Sequence, residues 1–337
     1  MAQHHVAVAS LGGTITMTAS RDGDGVRPTL SAHDLVAAVP ALAEVARLET
    51  ETLATLPGAS LAPADVMDAL AWARRAVDRG ARGVVLVQGT DTIEETAFLL
   101  DLHWERPEPL VVTGAMRSPQ VPGSDGPANL LAAVLTARDD RSRDLGVLVV
   151  LNDEVHAAAR VRKTASTAVG AFQSLPFGPL AHVQERRLAY GNRPPRWPPL
   201  TGTPDGSGAR VALLETCLGD QGELLDLVVS AEFDGVVLAG FGVGHVSAAL
   251  AHRVDAATRT CPVVLATRTG SGPTATATYG FVGSESDLIA RGAVPAGWLD
   301  PRKARLLLWS LLISGASAEE VETEFRRRGG SSMDHHG

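Results

Sequence analysis

The chain is short of several things, and each shortage closes off a class of answer. Only two cysteines, Cys217 and Cys261, occur among 337 residues. That leaves no disulfide framework and no CxxC pair for a structural metal. No apolar run approaches the roughly 18 residues expected of a membrane-crossing helix. The opening residues show no basic segment followed by a long apolar one, since Val6 to Ile15 is brief and broken by glycine. No secretory leader is therefore expected, and a soluble cytoplasmic protein is the default. Charge of one sign is not blocked together either: the net charge is −8, with acids and bases interspersed. This argues against nucleic acid or an anionic membrane as the main partner. Familiar catalytic templates are missing too. There is no GxGxxG spacing, no GK[ST] ending, no GxSxG elbow and no HExxH. The GxGxG of Gly240 to Gly244 is a weak nucleotide signal. His33, His103, His156, His182, His245 and His252 lack ligand spacing. The pairs His4–His5 and His335–His336 sit near the ends and read as disordered tails.

What is present is ordinary in bulk and ordered in pattern. Hydrophobic residues make up 45% and charged ones 20%, which suits a globular protein, and the length favours two domains. Short apolar, β-branched runs recur at residues 6–10, 83–88, 109–114, 146–152, 210–215, 235–240 and 262–267. Continuous runs of this kind suit strands buried on both faces of a parallel sheet. Helical patterns lie between them, at 34–49, 62–79, 94–104, 127–138, 223–233 and 245–258, with two more at 300–314 and 318–328. The alternation predicts an α/β fold with two domains, each a mainly parallel sheet flanked by helices. A Pro- and Gly-rich stretch without apolar period follows residue 190. It predicts a catalytic domain over 1–190, a linker over 191–209 and a smaller domain over 210–337.

Ligands of open parallel sheets bind beyond the carboxyl ends of the strands. The segments there are Ser10-Leu-Gly-Gly-Thr14, Gln88-Gly-Thr-Asp-Thr92, Gly114-Ala-Met-Arg117 and Asn152-Asp-Glu154. The second half adds Gly240–His245 and Thr267–Gly272. Two glycines before Thr14 would cradle a phosphate, close a hairpin, or let the backbone approach a substrate and present a reactive hydroxyl. Thr92 and Glu95 have the spacing of a capping box, which predicts a helix start there. Thr90 and Asp91 would then lie in its entering turn, near unsatisfied N–H groups that favour negative charge; as turn and cap residues alone they would look the same. The basic cluster Arg160-Val-Arg-Lys163 is either a solvated face or the site of a catalytic lysine. In the second case Arg160 and Arg162, if they point inward, would depress the proton affinity of Lys163.

Taken in order, SLGGTI, QGTDTIEET, TGAMRSP…DGPANL, VLNDEVHAAARVRKT and RTGSGP…DPRKARLLL resemble the bacterial-type L-asparaginases and glutaminase-asparaginases across nearly the whole chain. The resemblance implies hydrolysis of L-asparagine, a small-molecule substrate, to L-aspartate and ammonia without metal or cofactor. It implies a homotetramer of intimate dimers, or a homodimer, with sites shared between partner subunits. It makes Thr14 the nucleophile and assigns Thr90, Asp91 and Lys163 to a second catalytic group. Asp91 would also pair with the substrate ammonium, and Ser60 with its carboxylate. Gly89, Ala115, His245, Tyr279 and Glu285 complete the substrate contacts that it implies, the last three from a neighbouring subunit.

One departure stands out. Many members carry a tyrosine in the loop after the first motif, and here Thr18–Pro28 has none, with Gly25 in its place. The only tyrosines are Tyr190 and Tyr279. Tyr279 is either a substitute phenol or a packing residue. The loop, Gly- and Asp-rich, reads as a mobile lid. Two further readings stay open. One is the amidase component of a tRNA-dependent amidotransferase, which usually carries an extra amino-terminal domain. The other is an asparagine-binding sensor without turnover.

Overall fold

The computed structural model describes residues 4–19, 25–202 and 208–330. The chain divides into two compact units, Met1–Thr201 and Gly202–Gly337. In the first unit the strands are β1 (His5–Gly12), β2 (Met17–Ala19), β3 (Val26–Pro28), β4 (Arg47–Leu56), β5 (Gly83–Val87), β6 (Leu110–Thr113), β7 (Val147–Leu151), β8 (Glu154–Ala157), β9 (Arg162–Lys163), β10 (Phe172–Gln173), β11 (Ala181–Gln184) and β12 (Arg187–Tyr190). The helices are α1 (Ala32–Ala37), α2 (Pro63–Asp78), α3 (Ile93–His103) and α4 (Gly126–Arg138).

Eight strands form one sheet in the order β12-β11-β8-β7-β6-β5-β1-β4. The run from β4 to β7 is parallel, while β8, β11 and β12 continue it antiparallel. Val6–Ala9, Val84–Val87 and Leu148–Val150 are fully buried, as strands covered by helices on both faces must be.

Two elements differ from the sequence pattern. The helix expected over 34–49 is cut short: α1 ends at Ala37, Pro40–Glu44 forms a 3₁₀ turn, and β4 begins at Arg47. Pro40 drives Val39 out of helical geometry, to φ −125° and ψ 78°. The edge strand β4 escapes the apolar-run criterion because it pairs only with β1 and stays largely polar. Its Glu51 accepts a hydrogen bond from the indole of Trp72 at 2.6 Å, tying α2 to the edge. The first strand also reaches further back than expected, since His5 belongs to it and faces Glu49 at 3.2 Å. His335–His336 lie outside the described residues.

The expected linker is tied down through much of its length. Arg193 donates to the carbonyls of Arg141 and Arg143, each at 2.9 Å, and Leu200 N donates to Leu102 O at 2.7 Å. Residues 203–207 of that stretch lie outside the described residues.

The second unit holds β13 (Val211–Glu215), β14 (Gly235–Gly240), β15 (Val263–Thr267) and β16 (Val294–Pro295), parallel and in sequential order. Around them lie α5 (Glu223–Ser230), α6 (Ala248–Thr258), α7 (Glu285–Ala290), α8 (Pro301–Ile313) and α9 (Ala318–Gly329). Helix α6 starts three residues later than its pattern suggested, because the Ser247 hydroxyl caps it by accepting from Leu250 N. Among the described residues no helix is long and apolar enough to cross a membrane.

Candidate active site

Because β4, β1, β5 and β6 are parallel, the segments after them emerge at one end of the first sheet. The turn after β1 carries Thr14 and is pinned on both sides. Gly13 O accepts from both the amide and the hydroxyl of Thr16, at 2.9 and 2.8 Å, and Ile15 is buried in the core. Gly13 has φ 86° and ψ −175°, a conformation open essentially to glycine alone. A Cβ there would stand 2.0 Å from the amide nitrogen of Gly89. A Cβ on Gly89 would meet Gly58 N at 2.7 Å, and one on Gly58 would meet Gly89 O at 2.9 Å. Three loops thus pack backbone against backbone, and the tight glycine contact is with a neighbouring loop. Thr14 itself is half-buried, and no described residue holds its hydroxyl in a hydrogen bond.

Thr90 and Asp91 lie in the turn leading into α3, as the helix-start reading predicted. The capping box does not form. Thr92 occupies the N-cap, but its hydroxyl donates instead to Gly58 O at 2.9 Å, fastening the 58–60 turn to the start of α3. No acceptor among the described residues engages the amides of Thr90 or Asp91. Such N–H groups at a helix start are suited to a developing negative charge.

Lys163 comes from the two-stranded ribbon β9–β10, in which it pairs with Phe172. Its Nζ lies 2.9 Å from Thr90 Oγ1 and 3.3 Å from Asp91 Oδ1. Thr90 is 5% exposed, and the Lys163 side chain 17%. The Asp91 side chain is 58% exposed and borders an open hollow with Lys163, Thr164, Ala165 and Ser166. Of the cluster's arginines, Arg160 is engaged elsewhere. The Arg160 guanidinium stacks 4.0 Å from the centre of the Phe177 ring. Arg162 precedes Lys163 on a strand, where neighbours point to opposite faces.

Ser60 is exposed at the end of the 58–60 turn, whose Gly58 touches Gly89. Ala115 is fully buried among core residues. Its loop is held by Asp125, which accepts from Met116 N and Arg117 N at 2.9 Å each. Asn129 adds a bond to Gly114 O and accepts one from Asn152 N, both at 2.9 Å. This network explains DGPANL, a motif to which the sequence assigned no role.

The other three candidates form a cluster within the second unit. His245 Nε2 lies 3.1 Å from Glu285 Oε2, and the His245 ring meets the Tyr279 ring edge-on at 4.8 Å. Glu285 is completely buried, and its Oε1 accepts from the amides of Thr278 and Tyr279 at 2.7 Å each. Burial alone would raise its carboxyl, but these N–H donors and His245 hold it below the usual carboxylate range. Tyr279, Phe281 and Val282 are exposed. Tyr190, in contrast, is structural: its hydroxyl lies 2.6 Å from Ser142 Oγ, and burial pushes its phenol up. Residues 20–24 of the loop read as a lid lie outside the described residues; its stem is the β2–β3 ribbon. Among the described residues no group of three or more His, Cys, Asp or Glu is arranged to hold a metal ion.

Comparison with known proteins gives this geometry a context. Residues 5–196 match the family model for the asparaginase N-terminal domain, and 210–325 the glutaminase/asparaginase C-terminal domain. A probable L-asparaginase of Deinococcus radiodurans is 36% identical over 95% of this chain and 96% of its own. One chain of the glutamyl-tRNA(Gln) amidotransferase of Aeropyrum pernix is 31% identical over 97% of this chain and 78% of its own. The crystal structure of a probable cytoplasmic L-asparaginase from Campylobacter jejuni superposes with a TM-score of 0.86 at 27% identity, covering 96% of this chain and 99% of that one.

Proposed function

The chain belongs to the asparaginase family, and from that premise we propose that it hydrolyses the side-chain amide of L-asparagine to L-aspartate and ammonia with Thr14 as nucleophile. The Thr14 hydroxyl attacks the amide carbon, and the amides at the start of α3 receive the charge that develops on oxygen. Collapse breaks the C–N bond, the proton shed by the Thr14 hydroxyl passes through Thr90 to the leaving nitrogen, and ammonia departs, leaving an ester to Thr14. Water then attacks that ester, giving its proton to Thr90 Oγ1 while the Thr90 proton passes to the Lys163 amine, and that proton returns through Thr90 to the Thr14 oxygen as the ester C–O bond breaks. Asp91, beside Lys163, stabilises the ammonium that results.

The observation that carries this reading is the Lys163 Nζ contact with both Thr90 Oγ1 and Asp91 Oδ1. A threonine hydroxyl is a poor proton acceptor alone and becomes a useful relay beside an amine. Lys163→Met keeps most of the side-chain length and removes the amine. Its kcat for ammonia release from L-asparagine should fall by about 10²–10⁴-fold, the usual worth of a positioned acid or base. A variant with wild-type kcat contradicts the relay.

The same proposal includes Ser60, Gly89 and Ala115 as substrate contacts and a homotetrameric or homodimeric assembly. In that assembly His245, Tyr279 and Glu285 would face the substrate of a partner copy. Support comes from the exposed aromatic rim beside Glu285, a carboxylate already fixed by three donors. A cytoplasmic location follows the description of the Campylobacter protein.

A further inference from the structure

Lys163 reaches Thr90 and Asp91 from a two-residue strand in a ribbon far along the chain. Something must hold that strand in register with the start of α3. Glu94 lies one turn beyond Thr90 and is 4% exposed. Its Oε2 accepts a hydrogen bond from the backbone N–H of Lys163 at 2.8 Å. Burying a carboxylate is costly unless it is well paired. Here it lies in the first turn of α3, where the helix dipole favours negative charge, and it receives a charge-assisted bond.

We propose that Glu94 is a positioning residue, clamping the backbone of Lys163 to the start of α3 so that the Lys163 amine meets Thr90 and Asp91. The inference rests on the proposed role of Lys163. Glu94 bonds the main chain of the residue whose side chain takes part, so its loss displaces the amine without removing it. A displacement of about 1 Å is enough to lower a rate by roughly 10²-fold, while substrate binding groups elsewhere are untouched.

The test measures kcat, KM and thermal midpoint for the full chain carrying Glu94→Ala, Glu94→Asp or Glu94→Gln, beside Lys163→Met. Glu94→Ala should lower kcat by about 10–100-fold with KM little changed. Glu94→Gln retains an oxygen at the same reach and should restore kcat to within about threefold of wild type. Glu94→Asp keeps the charge but withdraws the oxygen, so it should be slow although folded; it decides the matter if the alanine variant does not fold. Wild-type kcat in the aspartate variant, or a glutamine variant as slow as the alanine one, overturns the clamp. If Lys163→Met is impaired and the Glu94 variants are not, the clamp fails and the relay stands. If Lys163→Met is fully active, both fall.

Discussion

Lys163 contributes little to stability where it stands. Its contact with Asp91 is 3.3 Å long and Asp91 is mostly exposed, so the pair contributes at most about 1 kcal/mol to folding. Lys163→Met should therefore leave the thermal midpoint nearly unchanged while kcat falls, and a melting scan beside the ammonia assay separates the two. The resemblance grouped Thr90, Asp91 and Lys163, whose contact the structure shows, whereas their spacing alone fitted turn residues and a solvated basic face equally. The roles of Glu94 and Thr92 were not legible in the sequence, for a physical reason. Thr92 had a plausible local partner in the capping box and took a distant one, Gly58 O, while Glu94 reaches the equally distant Lys163 N. Local spacing reports helix propensity but is blind to long-range acceptors.

Loops and short helices carry the next set of consequences. The glycines at positions 13, 58 and 89 let three loops touch. Gly13→Ala would put a methyl into the Gly89 backbone at a φ that alanine avoids, costing about 3 kcal/mol or more. Denaturant unfolding should show that loss, and activity should fall with it. An alanine variant as stable as wild type would mean that the loops do not pack this way. The two glycines before Thr14 were legible as a special turn, but the Gly89 contact that requires Gly13 was not.

Helix α7 begins at Glu285, whose carboxyl is held below its ordinary value of about 4.3. A carboxyl lowered in the folded state contributes stability above the unfolded value and loses it as pH falls through the folded one. Wild type should thus lose midpoint on acidification below about pH 4.3 more steeply than Glu285→Gln, the variant being the less stable at neutral pH. Parallel curves for the two proteins across that range would contradict the account. The helix misread over 34–49 belongs to this scale too. One proline ended it, and a polar edge strand took the remaining residues.

At the scale of the whole molecule, the alternation of apolar runs and helical patterns was enough to anticipate two α/β units built on parallel sheets. It missed the antiparallel extension β8-β11-β12, whose four-residue strands mix polar and apolar residues instead of forming continuous runs. That extension leads directly to the ribbon that carries Lys163, so the overlooked part of the fold supports the second catalytic group proposed above. The first unit gathers Thr14, Thr90, Asp91 and Lys163 on segments that neither sheet hydrogen bonding nor core packing requires to be polar. The central claim is that Thr14 spends its hydroxyl on chemistry. Ammonia release from L-asparagine by wild type and by Thr14→Ala tests it most directly, with a melting curve for each. The account predicts rapid release by wild type, loss of at least about 10³-fold in the variant, and melting curves that coincide. A variant that keeps most of the activity, or a wild type that releases no ammonia above the buffer, would contradict it.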